Sequence, residues 1–338
     1  MSASAAIYGL SGPVLTADEK AFFRDADPWG FIVFARNIEG IKQLSRLTLS
    51  LRDCVGRDAP ILIDQEGGRV ARLRPPTWRR APAAEVFADL FQREPEAAIE
   101  ACHLNHRLMA HELRAVGIDV DCAPCADLRI AGADAIIGDR AFGEHPDQIG
   151  HLGRAAMQGL MAGGVAPVIK HIPGHGRADA DSHLALPRVE EERGLLSETD
   201  FASFRALNDA PMAMTAHIVY ADIDPENPAT TSAEVVSDII RGEIGFDGLL
   251  MTDDLSMKAL QGSFRERAEA SIKADCDLVL HCNGEMREML PVAEGAPRLD
   301  GKALERALLA EKARENIESF DAVDGESRLN GLLEQLTA

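Results

Sequence analysis

Eight short runs dense in Val, Ile, Leu and Met recur along the 338 residues, each followed by a longer stretch of mixed polar and apolar character. They are AAIYGL (5–10), FIVF (31–34), ILID (61–64), GIDVDCA (117–123), VAPVIKH (165–171), PMAMTAH (211–217), FDGLLMTD (246–253) and CDLVLHC (276–282). Near-continuous apolar cores, without a two-residue alternation, mark strands buried on both faces, and such strands are usually parallel and covered by helices. Between them the pattern predicts helices over 41–54, 97–116, 146–164, 193–209, 230–243, 263–273 and 301–316. In the fifth of these, Thr231 or Ser232 can cap the first turn, and the acids that follow suit the positive end of a helix. The alternation admits a doubly wound open sheet, but eight strands fit a closed (β/α)8 barrel, the TIM-barrel arrangement, better.

No low-complexity segment or Gly/Ser/Pro linker divides the chain. RLRPPTWRRAPAAE (72–85) follows the third strand too early to separate domains and reads as a βα loop. The expectation is therefore a single catalytic barrel domain over 1–338, with DAVDGESRLNGLLEQLTA (321–338) forming a turn and a short helical tail that covers apolar surface.

Charge narrows the partners. Against 35 Lys and Arg stand 55 Asp and Glu, a net of -20, and a surface so negative repels phosphate backbones and anionic lipid. Nucleic acid and membrane partners are not expected. Six cysteines are too few for a disulfide scaffold, and the C-x-x-C of Cys122 and Cys125 has no second pair, so it reads as structural thiols. MSASAAIYGLSG (1–12) lacks a basic region and a long apolar core, and no run approaches a membrane span; a cytoplasmic location is expected.

Several runs end in ionisable clusters: Asp64, Gln65 and Glu66; Asp121; Lys170 and His171; His217; Asp253 and Asp254. A lone acid at such a place is usually a helix cap or a salt-bridge partner. Five loaded strand ends are another matter, because each buried charge needs a partner or water, and a barrel brings all these ends to one mouth. The densest stretch, VIKHIPGHGRADADSH (168–183), includes metal-ligand types in His171, His175, His183, Asp179 and Asp181. Its histidines stand four and eight apart in a segment broken by Pro173, Gly174 and Gly176, without H-x-H or H-E-x-x-H. Metal-dependent hydrolysis thus stays open beside acid/base chemistry, with Asp181 orienting His183 or Asp179 orienting His175. A tight turn whose histidines bond backbone carbonyls is the plain structural alternative.

Six stretches together resemble the glycoside hydrolase family 3 β-N-acetylglucosaminidases of bacterial cell-wall recycling: IDQEGGRVARL (63–73), GIDVDCAPCADL (117–128), IIGDRAFGEHP (136–146), VIKHIPGHGRADADSHLALP (168–187), AMTAHIVY (213–220) and LLMTDDLSM (249–257). The resemblance implies Asp253 as nucleophile, His183 as shared acid/base and Asp181 as its orienting partner. It places Asp64, Arg72, Arg140, Lys170 and His171 on the sugar. Adjacent strand residues face opposite ways, so pattern alone does not choose Asp253 over Asp254. Ile172 stands where the family usually has Phe, and Thr252 where Ser is commoner.

The resemblance further implies a one-domain barrel, a monomer, no metal and no organic cofactor. The substrate would be a small muropeptide, cleaved between non-reducing GlcNAc and anhydro-N-acetylmuramic acid. An imidazole does not place a second negative charge near an anionic acceptor, so phosphorolysis is the alternative to hydrolysis. A sugar-binding barrel without catalysis would keep Asp64 and Arg140 but would not need Asp253 and His183 poised together.

Overall fold

The computed structural model describes residues 2–133, 135–178 and 186–334. Asp179, Asp181 and His183 lie outside the described residues. Among those described, eight parallel strands close into a barrel: β1 Ser4–Tyr8, β2 Pro28–Val33, β3 Ile61–Ile63, β4 Val120–Asp121, β5 Ala166–Ile172, β6 Met212–Thr215, β7 Leu249–Asp254 and β8 Leu278–His281. Each falls on one of the eight apolar runs. β1 pairs with both β2 and β8, so the sheet has no edge.

The unbroken apolar runs have a direct cause. One set of strand side chains fills the barrel interior, where Ile7, Ile32, Leu62, Val120, Val168, Met212, Leu249 and Leu278 form one buried cluster. The alternate set packs outward beneath the helices, as with Phe31, Ile61 and Ile63, or Ile169, Ala213 and Leu250. Each buried Leu or Ile contributes roughly 1.5–3 kcal/mol. The N-terminal end of the barrel is stoppered by Trp29, whose Nε1 donates to Glu311 at 2.9 Å, and by Leu299, Ala307 and Ala310 beside it. Chemistry is left to the opposite end.

The predicted helices at 41–54, 97–116, 146–164, 263–273 and 301–316 correspond to Ile41–Val55, Pro95–Ala115, Pro146–Ala162, Phe264–Lys273 and Gly301–Lys312. The one predicted over 193–209 is two, Arg193–Glu198 and Asp200–Arg205, because Thr199 leaves helical geometry at φ -120°, ψ -86°. At 230–243, Ser232 Oγ accepts the Val235 amide at 3.1 Å, as a cap should, and residues Val235–Glu243 wind as a π-helix. Helices Ala17–Ala26, Ala84–Phe91 and Met286–Gly295 lie outside the ranges that the pattern predicts. The last helix, Ala322–Glu334, buries Leu329 against the core beneath Pro95–Ala115. No helix among the described residues is long and apolar enough to cross a membrane.

Candidate active site

At the C-terminal ends of the strands lies a cavity of about 200 Å³, a size suited to one sugar unit, lined by Asp64, Glu66, Arg69, Arg72, Arg140, Lys170, His171, Asp253 and Asp254 among others. β3 and β5 deliver its central charges. Lys170 Nζ lies 2.9 Å from Asp64 Oδ1 and 2.7 Å from Glu66 Oε1. Arg140 grips both oxygens of Glu66, through Nε and Nη2, each at 2.8 Å. Arg72 Nη2 holds the other oxygen of Asp64 at 3.0 Å. Three cations and two carboxylates are thus locked into a rigid lattice of donors and acceptors.

Burial by itself raises a carboxyl pKa, but here the neighbouring cations win. The Lys170 ammonium and then Arg72 hold Asp64 below its ordinary value. Glu66 is driven well down by Arg140 and then Lys170, against the same burial, while Asp64 and Glu66 push Lys170 up despite its desolvation. For a carboxylate with a depressed folded pKa, the stabilisation is present above the unfolded value of about 4 and is lost as pH falls through the folded one. Glu66→Gln removes the charge that two cations share. We expect a loss of about 3 kcal/mol in denaturant unfolding at pH 7, shrinking as pH falls below 4; an unchanged midpoint would show that the network carries no such energy.

Two irregularities in the sheet decide which side chains reach the cavity. Between Lys170 and Ile172 the register of β5 against β6 shifts, and between Leu278 and Leu280 that of β8 against β7 shifts, so Met251 to Asp254 is spanned by two residues opposite. Consecutive residues of a regular strand face opposite ways; a bulge re-aims one of them. Lys170 and His171 therefore both line the cavity, and so do Asp253 and Asp254. Adjacent residues of a regular strand face opposite ways, yet here both aspartates reach the mouth.

The two aspartates still differ in their bonding. The carboxylate of Asp254 is committed to its own loop and to the end of β8: Oδ1 accepts the amides of Ser256 and Cys282, both at 3.0 Å, and Oδ2 accepts the Ser256 hydroxyl. Asp253 Oδ1 accepts the Asp254 amide at 2.7 Å, which holds the carboxylate at the end of β7. His217 does not line the cavity; its Nε2 donates to the Asp254 carbonyl at 3.1 Å, bracing that strand end from behind. Asp121 is likewise excluded. Buried beneath the network, it accepts the Gln65 amide through Oδ1 at 2.9 Å, and burial pushes its pKa well up.

Behind His171 stands a residue that no motif had singled out. Asp127 Oδ2 lies 2.7 Å from His171 Nδ1, and its Oδ1 accepts the His175 amide at 2.6 Å. Although burial opposes it, the His171 ring and the amides keep Asp127 at about 2, so it accepts at neutral pH and Nδ1 of His171 must carry the hydrogen. The signal was present in CADL (125–128), but a strand-to-loop Asp is too common to stand out without its partner. Cys125 Sγ lies 3.3 Å from the same Oδ2. Cys122 belongs instead to the barrel interior, while Cys125 clusters with Ile137 and Ala141, so the C-x-x-C pair forms no joint site.

Of the residues expected on the sugar, Asp64, Arg72, Arg140, Lys170 and His171 all line this one cavity with Asp253. Asp181 and His183 fall outside the described residues, as does Asp179.

Comparison with known sequences and structures bears on this geometry. The sequence model described as Glycosyl hydrolase family 3 N terminal domain matches residues 15–314. A β-hexosaminidase of Alkalilimnicola ehrlichii is 40% identical over 281 residues, covering 82% of this chain and 80% of its own. One from Pseudomonas aeruginosa is 39% identical over 287 residues, 84% of each chain. In three dimensions, native NagZ of Neisseria gonorrhoeae superposes with a TM-score of 0.87 at 32% identity, covering 98% of both chains.

Proposed function

Because the chain belongs to glycosyl hydrolase family 3, we propose that it is an exo-acting, retaining β-N-acetylglucosaminidase that removes non-reducing GlcNAc from anhydro-N-acetylmuramic acid muropeptides. The observation that carries this reading is the position of Asp253, a carboxylate at the end of β7 lining the same small cavity as the locked Lys170, Asp64, Glu66 and Arg140 network. Fixed charges of both signs suit the hydroxyls of one sugar, since each hydroxyl donates once and accepts. The network is pre-organised, so little ordering cost falls on binding.

Retention needs a carboxylate nucleophile and a proton donor flanking the glycosidic bond. Asp253 attacks the anomeric carbon as His183 protonates the leaving oxygen, and a glycosyl ester to Asp253 forms. His183 then takes a proton from water, which attacks the same carbon and frees Asp253. An imidazole near neutrality can give and retake that proton, and Asp181 stabilises the imidazolium. The assignment of His183 and Asp181 rests on the resemblance of the stretch 168–187, with its D-A-D-S-H at 179–183, to the family.

The direct test is incubation with the disaccharide GlcNAc-anhydroMurNAc and with a GlcNAc-β-aryl glycoside, following the anomer released. Free β-GlcNAc as first product is expected. GlcNAc 1-phosphate formed in phosphate buffer would instead establish phosphorolysis, and inverted product would overturn the retaining mechanism. Since no step calls on a metal, full activity should survive exhaustive chelation. Loss on chelation, restored by stoichiometric metal, would sink this account.

A further inference from the structure

Beside the catalytic cavity runs a groove of about 530 Å³ in the loop that follows β3, and Arg69 lines both. Ligand sites commonly span about 300–1,000 Å³. Arg69, Arg74, Arg79 and Arg80 stand around this one, with Leu73 and Pro82 in its apolar wall. In a chain with 55 acids against 35 bases an arginine readily finds a carboxylate, as Arg72, Arg177 and Arg306 do. Among the described residues only Arg69 of these four does, through Asp139 at 2.6 Å.

The other three are held by neutral groups or by none. Arg74 donates through Nε to the Ala71 carbonyl at 2.8 Å and through Nη2 to that of Arg69 at 3.0 Å. Arg79 Nη1 and Nη2 donate to the side-chain and backbone oxygens of Asn105, at 2.9 and 3.2 Å. The carboxylate of Glu112 accepts the Arg79 amide at 2.9 Å rather than its guanidinium. Arg80 is exposed and makes no side-chain hydrogen bond or ion pair among the described residues. Three positive charges thus share one groove, and their mutual repulsion favours an anion between them.

The backbone fixes this groove relative to the cavity. The Glu66 amide donates to the Val70 carbonyl at 2.9 Å, and the Gly68 amide to the Ala81 carbonyl at 3.0 Å. Gly67 and Gly68 stand at φ +99° and +54°, and a Cβ on either would overlap the Pro82 carbonyl or Ala83. The loop therefore lies directly against the segment that carries Arg79 and Arg80. Since Glu66 belongs to the charged network of the cavity, sugar site and groove are held by one rigid piece of chain.

With GlcNAc in the cavity, the leaving part of a muropeptide carries a short peptide with free carboxylates. So acidic a protein repels that peptide over most of its surface, and an unpaired basic groove beside the mouth is where it is attracted. We infer that Arg74, Arg79 and Arg80 form a subsite for the peptide carboxylates of the leaving part, so that the enzyme favours substrates with an anionic peptide. Arg79, fixed by Asn105, presents a preset guanidinium, and Arg74 and Arg80 meet the anion from the exposed rim. Ground state and transition state share this contact, so it acts on KM and leaves kcat nearly alone. The effect on turnover rests on the glycosidase reading, whereas the binding does not.

Calorimetry with anhydroMurNAc-L-Ala-D-Glu tests binding without turnover, and the same compound amidated at its carboxylates is the neutral probe. The native chain should bind the acidic form about tenfold more tightly, and the advantage should shrink at high salt. Arg80→Glu should abolish it, and Arg80→Gln should narrow it. Arg80 bonds to nothing within the fold, so both variants should unfold at the native midpoint. In turnover, GlcNAc-anhydroMurNAc-L-Ala-D-Glu should show a KM about tenfold below that of its amidated form at similar kcat, and Arg80→Glu should bring the two to parity. Arg46→Gln removes an exposed charge from the helix Ile41–Val55 and should keep the native ratio.

An acidic probe bound no better than the amidated one overturns the subsite. So does an advantage that survives Arg80→Glu, or one that Arg46→Gln lowers as much, since the preference then belongs to another place or to the general field of the protein. If binding behaves as expected but the protein cleaves no GlcNAc glycoside, it is the functional reading that fails, and the site for an anionic peptide stands.

Discussion

Asp253→Asn should lower turnover of GlcNAc aryl glycosides by about 10⁴- to 10⁶-fold, the range seen when a catalytic nucleophile or its close partner is removed. Stability should change little. The carboxylate sits half-buried at the mouth, and asparagine keeps the side-chain oxygen that accepts the Asp254 amide. The amide oxygen is a poor nucleophile and a poor leaving group, so neither formation nor breakdown of the ester can proceed at a useful rate. Asp254→Asn is the informative comparison. Its carboxylate already holds the Ser256 and Cys282 amides, so its loss should loosen the loop and cost far less activity. Trapping with a 2-deoxy-2-fluoro-type or cyclitol-based covalent inhibitor, followed by peptide mapping, should place the label on Asp253. Label on Asp254 or Glu66 would reassign the nucleophile.

The second large effect depends on the leaving group. His183→Ala should slow cleavage of the natural disaccharide by about 10² to 10⁴, the usual contribution of a general acid. A dinitrophenyl leaving group departs without protonation, so glycosylation of Asp253 by that glycoside should barely change, and the glycosyl-enzyme should accumulate because the base for the second step is missing. Asp181→Asn should weaken the same step by removing the imidazolium's charge partner, with sugar affinity roughly kept. Should both leaving groups fall equally in His183→Ala at the glycosylation step, the acid must be sought elsewhere. His175 is then a poor candidate: burial, and next His171, lower its pKa to about 4, so it is neutral at pH 7 and gives up no proton there.

The eight strands were legible because burial on both faces demands apolar residues at every position, and that demand is written locally. Helix ends were partly legible for the same reason: Ser232 caps where a serine should. The helix Ala17–Ala26 carries a complete capping box in Thr16 and Glu19, a start signal that lies in the sequence itself even though no apolar periodicity follows it. The break at Thr199 was not legible, since nothing in the surrounding residues forbids a continuous helix. Among site residues, the strand-end position of Asp64, Lys170, His171 and Asp253 could be read directly, but Arg72 lies in a loop and Arg140 in the short 3-10 helix Gly138–Arg140, away from any strand end, and both entered through family resemblance alone. Asp127 escaped because its meaning depends on a histidine 44 positions away.

Taken by itself, the amino-acid sequence determined eight helix-covered parallel strands, the strand ends that bear the chemistry and the residue types available there, since periodicity and strand-end polarity are properties of neighbouring residues. Closure of the sheet into a barrel is a matter of which strands pair. Only the tertiary structure decided which polar groups share the cavity. Asp121 and His217 stand at strand ends as Asp64 and Lys170 do, yet they are turned to the interior and the barrel wall. The register shifts beside His171 and Asp253 bring consecutive side chains to one side, overriding the alternation that a regular strand imposes. Those shifts, and the pairing of Lys170 with Glu66 and Asp64, arise from hydrogen bonding and charge between strands far apart in sequence. Such interactions exist only once the barrel has closed.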